Sequence, residues 1–461
     1  MAKTPKGILR RALPRTLTAS IAGIRAGSLL AVDGVLHKML GREETESSKF
    51  ARSEARRLVR ELGRLKGTYV KIGQMFALLG EHFLPPVLTD ALHELEASTN
   101  PLPWESMEPT LRESLGLFWD ELDIETEAFA AASLAQVHRA TVRATGEQIC
   151  LKVQYPGLAE VIDSDFDAVV NMLKLARWLP AGRDLDDWLE AMRTYLHYEI
   201  DYQREAATCE SMAQHVADLP GGDVSFHVPR LYRRYCTDKV LAMEYVTGKS
   251  VTDPSIQRLS LARRNALAEG MLDLFFYELY DWGLLQTDPN FGNYLIRTGS
   301  KGELDELVLL DFGSVLHGEE NFLFHLRRLI SAGLQEDQDG VVQGLIGLDC
   351  LHADANAEGR ALFADFCLHL LEPLRPPARL PKERLNRRGQ YRWADSGLMQ
   401  RAGKLAALST TSGHFTTPSR DFALIARKLT GVFTFIAVLD AEFNGYDAVS
   451  VHISRWQEVP Q

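Results

Sequence analysis

The sequence predicts an α+β protein of two lobes, a small β-rich N-lobe and a helical C-lobe, with an N-terminal helical extension and a helical C-terminal region. Three observations carry that prediction. Helical periodicity governs the stretch from Ser47 to Gly80. A hairpin pattern with a bend at Thr145-Gly146 occupies residues 136–153. From Glu320 onward no strand pattern recurs, so about 140 residues read as helical. The chain has 461 residues, 46% apolar and 25% charged, which suits the core of one large or two modest domains and excludes disorder.

In chain order, residues 1–46 read as a basic amphipathic leader. Eight Lys or Arg against Asp33 alone give residues 1–42 a charge of +7, leaving −18 for the remainder of a chain whose net charge is −11. The acidic body argues against a nucleic-acid binder. The leader's interleaved Leu17, Ile21, Ile24, Val32, Leu36 and Leu40 fit a helix on an anionic membrane surface, a targeting peptide, or a tail packed on its own domain. Residues 47–120 form the extension: a helix ending in Lys71-Ile72-Gly73-Gln74, a break at Leu84-Pro85-Pro86, and a new helix start at Pro101-Leu102-Pro103-Trp104.

Residues 121–246 form the N-lobe. Strand chemistry begins at about Phe129, continues through the hairpin and closes at Pro156-Gly157. A helix follows with Ile162, Phe166, Val169, Leu173 and Ala176 on one face, and a second runs through Trp188, Met192 and Leu196 past Glu205. Lys239–Tyr245 reads as a strand, in a sheet of about five. Residues 247–461 form the C-lobe: a long apolar helix from Ala262 to Trp282, short strands at Tyr294–Ile296 and Leu307–Leu310, then helices. Cys150, Cys209, Cys236, Cys350 and Cys367 include no CxxC pair, which suits reduced thiols and argues against zinc. No apolar run approaches the roughly 20 residues of a membrane span.

Three separated pieces carry chemistry. Lys152 sits mid-strand in Ile149-Cys150-Leu151-Lys152-Val153. Asp288 is followed five residues later by Asn293, and Asp311-Phe312-Gly313 ends an apolar strand. This order matches phosphoryl-transfer sites of the protein-kinase type. A strand Lys supplies a cation to the α/β-phosphates of ATP or ADP from a rigid platform. Mg2+ takes hard oxygen donors and keeps several waters, which suits Asp311 and Asn293. Asp288 is placed to orient or deprotonate an acceptor hydroxyl. For Lys152 a carboxylate partner is expected on the helix carrying Glu199, Asp201 and Glu205. Asp201 and Glu205 share a face there, and Glu205 is assigned. Met243-Glu244-Tyr245-Val246 is placed by order as the hinge whose backbone pairs with adenine. Where a protein kinase has a Gly-rich loop, this chain has Ala130-Ala131-Ala132-Ser133, and alanine cannot take the same backbone conformations. No Ala-Pro-Glu follows Asp311-Phe312-Gly313, which leaves little room for a docked peptide.

Over roughly Leu62 to His317 the chain resembles the UbiB family of atypical protein-kinase-like proteins, the AarF-domain group. The motifs are Lys71-Ile72-Gly73-Gln74, Ala130-Ala131-Ala132-Ser133, Lys152 to Gly157, Glu199-Ile200-Asp201 with Arg204-Glu205-Ala206, Gln286 to Asn290, and Asp311-Phe312-Gly313. The resemblance implies a kinase-like core with a helical extension, carrying Lys71 and Gln74, over its active site; Lys71 is expected beside Glu199, and Lys71, Gln74, Glu199 and Asp201 are expected to gate the cleft. It implies binding of adenine nucleotide with Mg2+, ATPase more readily than protein-kinase activity, and an Ala-rich loop that tunes nucleotide selectivity. It also implies support of ubiquinone or other isoprenoid-lipid metabolism. The expected partners are an anionic membrane surface, an isoprenoid lipid and lipid-biosynthesis proteins. The expected location is cytoplasmic and peripheral at the inner face of the membrane, or mitochondrial in a eukaryotic source. Two other readings stay open. A small-molecule phosphotransferase of the aminoglycoside or choline kinase type shares the Asp–Asn loop but lacks the helix of Lys71 and Gln74. A non-catalytic nucleotide-sensing scaffold would bind nucleotide with negligible turnover.

Overall fold

The structure is a computed structural model. It describes residues 67–79, 101–175, 183–300, 302–411 and 419–458, with Leu88, Leu92 and Leu179 as isolated points. The leader, most of the expected first helix, the Leu84-Pro85-Pro86 break and Ala176 lie outside the described residues. The chain divides into two compact units. The first runs to Ala207 and includes Arg230–Tyr245; the second holds Thr208–Pro229 and everything from Val246. The stretch expected as one N-lobe, 121–246, is thus interrupted by Thr208–Pro229.

In the first unit, α1 (Thr68–Leu79) and α2 (Trp104–Leu115) precede strands β1 (Leu122–Ala131), β2 (Ala135–Val142) and β3 (Gln148–Gln154). Helices α3 (Leu158–Leu175) and α4 (Arg183–Tyr198) follow, then the start of α5 (Tyr202–Ala217), and later β5 (Val240–Glu244). The sheet is antiparallel in the order β1-β2-β3-β5, four strands where about five are expected. The shortfall arises because β4 (Val224–His227) pairs in the second unit instead. Ile149, Leu151 and Val153 alternate onto one face of β3 and pack with Met107, Leu111 and Leu115 of α2. Period two then puts Cys150 and Lys152 on the other face. Strand β1 starts at Leu122, earlier than Phe129, because its mostly exposed, acidic edge carries two register shifts and shows no clean alternation. The hairpin bend is at Gly146, whose φ of 74° is open to glycine.

The single helix expected through Trp188 and Glu205 is two helices. Asp201 ends the run by capping α5, its Oδ1 accepting the Arg204 amide at 3.0 Å while its carbonyl accepts the Glu205 amide at 3.0 Å. Helix α1 packs on α3: the Thr68 hydroxyl donates to buried Asp165, and Phe76 stacks on Phe166 at 6.3 Å.

In the second unit, α6 (Pro254–Gln257) precedes α7 (Leu261–Phe276), which runs into a π-helical turn, Tyr277–Trp282. Strands β6 (Leu284–Gln286), β7 (Tyr294–Arg297), β8 (Asp305–Leu309) and β9 (Val315–His317) follow. Helices α8 (Glu320–Leu334), α9 (Gln338–Gly347), α10 (Ala357–Leu370), α11 (Leu398–Thr411), α12 (Arg420–Val438) and α13 (Tyr446–Glu458) complete it. One sheet has the order β4-β8-β7, with β4 parallel to β8, and the other pairs β6 with β9. Strands β4, β6 and β9 are too short for a period-two pattern to reveal. The five cysteines are free thiols. Among the described residues no helix is long and apolar enough to cross a membrane.

Candidate functional site

Lys152 lies in β3 between Val137 of β2 and Leu241 of β5, so its backbone is held by ladders on both sides. Its Nζ donates to Glu205 Oε1 at 2.7 Å, and the Glu205 side chain is 3% exposed. A carboxylate this buried costs several kcal/mol unless paired, so the pair fixes both groups. The Tyr202 ring, 5.5 Å from Nζ, adds a cation–π contact. On the other side of the α4–α5 break, Glu199 Oε1 pairs with Lys71 Nζ of α1 at 2.6 Å. The break therefore sends one carboxylate to each lysine, and Asp201, expected on a shared face with Glu205, caps the helix between them. Gln74 lies half-buried on α1, one turn beyond Lys71.

Sequence reasoning missed Gln154. Its Nε2 donates to the carbonyl of Ile200, inside the break, and to that of Asp238 at 3.3 Å. The available signal was a polar residue two positions after Lys152, on the same strand face. The Ala-rich segment is more strand than loop: Ala130 pairs with Val137 and Ala131 with Gln136. Ala132 and Ser133 form a tight tip, where the Ala132 amide donates to the Ala135 carbonyl at 2.8 Å and the Tyr155 hydroxyl to the Ala132 carbonyl at 3.1 Å. None of these residues has a positive φ, so the tip never needs a glycine. Below it, Gln136 uses its whole amide: Oε1 accepts the Leu102 amide at 2.8 Å, while Nε2 donates to the Leu102 carbonyl and to His138 Nε2. His138 then carries its proton on Nδ1, which donates to the Glu125 carbonyl, and burial lowers its pKa against that bond. Glu244 ends β5 with Oε2 accepting the Arg230 amide at 3.2 Å, and Val246 opens the second unit.

In the second unit two strand pairs bring two motifs together. The Asp288–Asn293 loop joins β6 to β7, and Asp311-Phe312-Gly313 lies between β8 and β9. Because Gln286 pairs with Val315 and Tyr294 with Leu309, both loops leave the ladders side by side. The Thr287 amide and hydroxyl donate to the Ser314 carbonyl at 2.8 and 3.0 Å, and the Leu310 amide to the Asn293 carbonyl at 3.0 Å. Asp311 Oδ1 accepts the Gly313 amide at 2.9 Å. Asn293 Nδ2 donates to Asp288 Oδ2 at 2.9 Å, which fixes its amide and leaves Oδ1 as the atom that could hold a hard cation.

Two residues of α12, not singled out in the sequence, brace this loop. Arg427 Nη2 meets Asp288 Oδ1 at 3.2 Å. Lys428 is 1% exposed, and its Nζ donates to Gln286 Oε1 at 2.9 Å and to the Tyr294 hydroxyl at 2.7 Å, with Glu278 Oε2 at 3.7 Å. The Gln286 Nε2 in turn donates to the Asp288 carbonyl at 2.8 Å. Burial pushes the Glu278 carboxyl up to about 7, while Lys428 and the Gln286 amide pull it back. Burial also works against the Lys428 charge, but Glu278 and Tyr294 outweigh it and raise its pKa. Gly431 packs so close to Pro289 that a Cβ has no room. The signal for Lys428 was a lone lysine on the apolar face of Leu424, Val432 and Phe435.

Residues 94–345 match the family described as the ABC1 atypical kinase-like domain. The chain belongs to that family. ABC1 membership makes the α+β fold a kinase-like one and agrees with the UbiB resemblance. Among relatives, the "atypical kinase COQ8B, mitochondrial" of Rattus norvegicus is 32% identical over 70% of this chain and 61% of its own length. The "atypical kinase COQ8, mitochondrial" of Saccharomyces cerevisiae is 29% identical over 76% of this chain and 68% of its own. The chain thus spans about three-fifths to two-thirds of these relatives. A solved structure of Rv3197 from Mycobacterium tuberculosis, in complex with erythromycin, shares the fold with a TM-score of 0.58 at 21% identity, covering 90% of this chain and 100% of that one.

Proposed function

We propose that this ABC1 chain binds ATP or ADP with Mg2+ and acts as an atypical kinase or ATPase supporting ubiquinone or other isoprenoid-lipid metabolism at a membrane surface. The observation that carries the reading is the double assembly of phosphoryl-transfer side chains: Lys152 locked to buried Glu205 in one unit, and Asp288, Asn293 and Asp311 tied by main-chain bonds in the other. The donor set fits the metal. Among the described residues no cluster of three or more His, Cys, Asp or Glu could hold an ion by itself, whereas Mg2+ needs one or two protein oxygens beside substrate phosphates and water. Asp311 and Asn293 Oδ1 would hold it, and bound there it would neutralise phosphate charge.

The chain's own residues do the rest. Glu205 holds the Lys152 ammonium at one position, where it meets α/β-phosphate oxygens without reorganisation. Asp288 has one oxygen on Arg427 and the other on the Asn293 amide. Its carboxylate is therefore fixed in direction, suited to orienting a water or hydroxyl. The mitochondrial names of the relatives support an organelle pathway, and the proposed partners are an isoprenoid lipid, an anionic membrane surface and lipid-biosynthesis proteins. The Lys71–Glu199 pair favours this over a small-molecule phosphotransferase, since it ties the extension to the helix pair that carries Glu205. The test is ATP binding and hydrolysis by the purified chain, with and without anionic liposomes. The expected result is liposome-stimulated turnover abolished in Asp311→Asn; no nucleotide binding, or unchanged turnover in that variant, would sink the proposal.

A further inference from the structure

The second unit contains a cavity of about 390 Å3 between α7 and α13, sharing no lining residue with the Asp288–Asp311 set. We propose that this cavity is a binding site for an organic cation, a protonated amine on an apolar body. Its carboxylates come from two helices: Glu269 and Asp273, one turn apart on α7, and Asp447 in the first turn of α13. None of the three has a hydrogen-bond or ion-pair partner among the described residues. Arg455 also lines the cavity, half-exposed, but its charge is engaged: Nη1 binds Asp281 Oδ1 at 3.2 Å and the guanidinium lies 5.9 Å from the Tyr277 ring. His452, 3% exposed, gives Nδ1 to Asp281 Oδ2 at 2.5 Å and lines the cavity. Two aromatic rings, Tyr277 and Phe443, complete the wall.

Asp447 is exposed, but Glu269 and Asp273 are half-buried without counter-charges, which is costly, and such arrangements concentrate at binding sites. The cost is visible here: burial pushes Glu269 up to about 7, with Asp273, Asp223 and Asp447 pushing the same way, and burial pushes Asp273 up to about 6. A single metal ion does not fit, since these groups do not converge into a metal-binding cluster. A longer cation, its ammonium among the carboxylates and its body on the rings, satisfies all of them. The volume lies within the ordinary range of small-molecule sites.

The experiment is calorimetry and thermal melting on the full chain with phenethylamine, its neutral counterpart phenethyl alcohol, and MgCl2. Saturable amine binding is expected, with the alcohol at least about tenfold weaker. Amine affinity should rise between pH 6 and pH 8 as Glu269 and Asp273 ionise; burial lowers the His452 pKa, any proton it loses as pH rises acts in the same direction, and Asp281-bound Arg455 adds no opposing change. The double variant Glu269→Gln, Asp273→Asn should lose about tenfold in amine affinity while the free protein melts at a higher temperature, because like-charge repulsion is gone. That higher melting point shows the variant is folded. Absent amine binding, equal binding of amine and alcohol, amine binding unaffected in the double variant, or displacement of the amine by Mg2+ would each overturn the proposal.

Discussion

Lys428→Met removes one buried cation and leaves its three partners in place. The expected loss has two parts. At pH 6 Glu278, with a folded pKa of about 7, is mostly protonated and needs no counter-ion. The loss is then that of the charged bonds to Gln286 and Tyr294, about 2 kcal/mol after the surviving Tyr294–Gln286 bond at 2.8 Å is allowed for. At pH 8 the wild-type Glu278 is ionised beside Lys428, but in the variant an ionised Glu278 has no cation and its pKa climbs further. A carboxyl whose folded pKa is raised stabilises at low pH and loses that contribution as pH rises through the folded value. The wild type completes this loss near pH 7, whereas the variant goes on losing about 1.4 kcal/mol per further pH unit. The penalty should therefore grow to about 3–4 kcal/mol at pH 8, within the usual cost of breaking a buried pair. Both groups are at most 2% exposed, so solvent screening does not reduce the figure. Urea unfolding of wild type and variant at both pH values measures it. A penalty below about 1 kcal/mol, or one that is flat between pH 6 and pH 8, would refute the reasoning.

Arg427→Gln should cost little stability, under about 1 kcal/mol, because both it and Asp288 are partly exposed; ATP turnover should fall by about tenfold as Asp288 loses its direction, and unchanged turnover would remove Arg427 from the site. Gln154→Leu strands the Ile200 and Asp238 carbonyls and should destabilise by about 1–3 kcal/mol in urea, with nucleotide affinity falling as Glu205 loosens. Glu205→Gln should weaken ATP binding by about tenfold in equilibrium titration, since a neutral amide no longer fixes the Lys152 ammonium. His138 has a lowered pKa, so the folded state binds fewer protons than the unfolded one; stability should fall as pH drops below about 6.5, and His138→Gln should flatten that limb of the pH–stability curve.

The main elements were legible because their periodicity is strong. The β2–β3 hairpin, the helix of Ile162 and Phe166, and the apolar helix ending at Trp282 all have one face fixed by burial. What escaped had weak local signals. The α4–α5 break hides in a run where helical spacing continues on both sides, and only the capping chemistry of Asp201 marks it. Strands of three or four residues, such as β6 and β9, carry too few positions to show alternation. At the candidate site, the Lys152–Glu205 pair and the neighbouring loops of Asp288, Asn293 and Asp311 could be anticipated because a kinase-type pattern places those residue types in that order. Gln154, Arg427 and Lys428 could not, since they act through contacts as distant in sequence as the 142 residues between Gln286 and Lys428.

The paired ladders under the two loops of the second unit separate shape from chemistry. Thr287 to Ser314 and Leu310 to Asn293 are held through main-chain amides and carbonyls, which every residue except proline supplies in full. The side chains of Asp288, Asn293 and Asp311 can therefore be exchanged while the scaffold that presents them stays put. For the experimenter, a silent variant at these positions reports on chemistry and not on collapse of the protein.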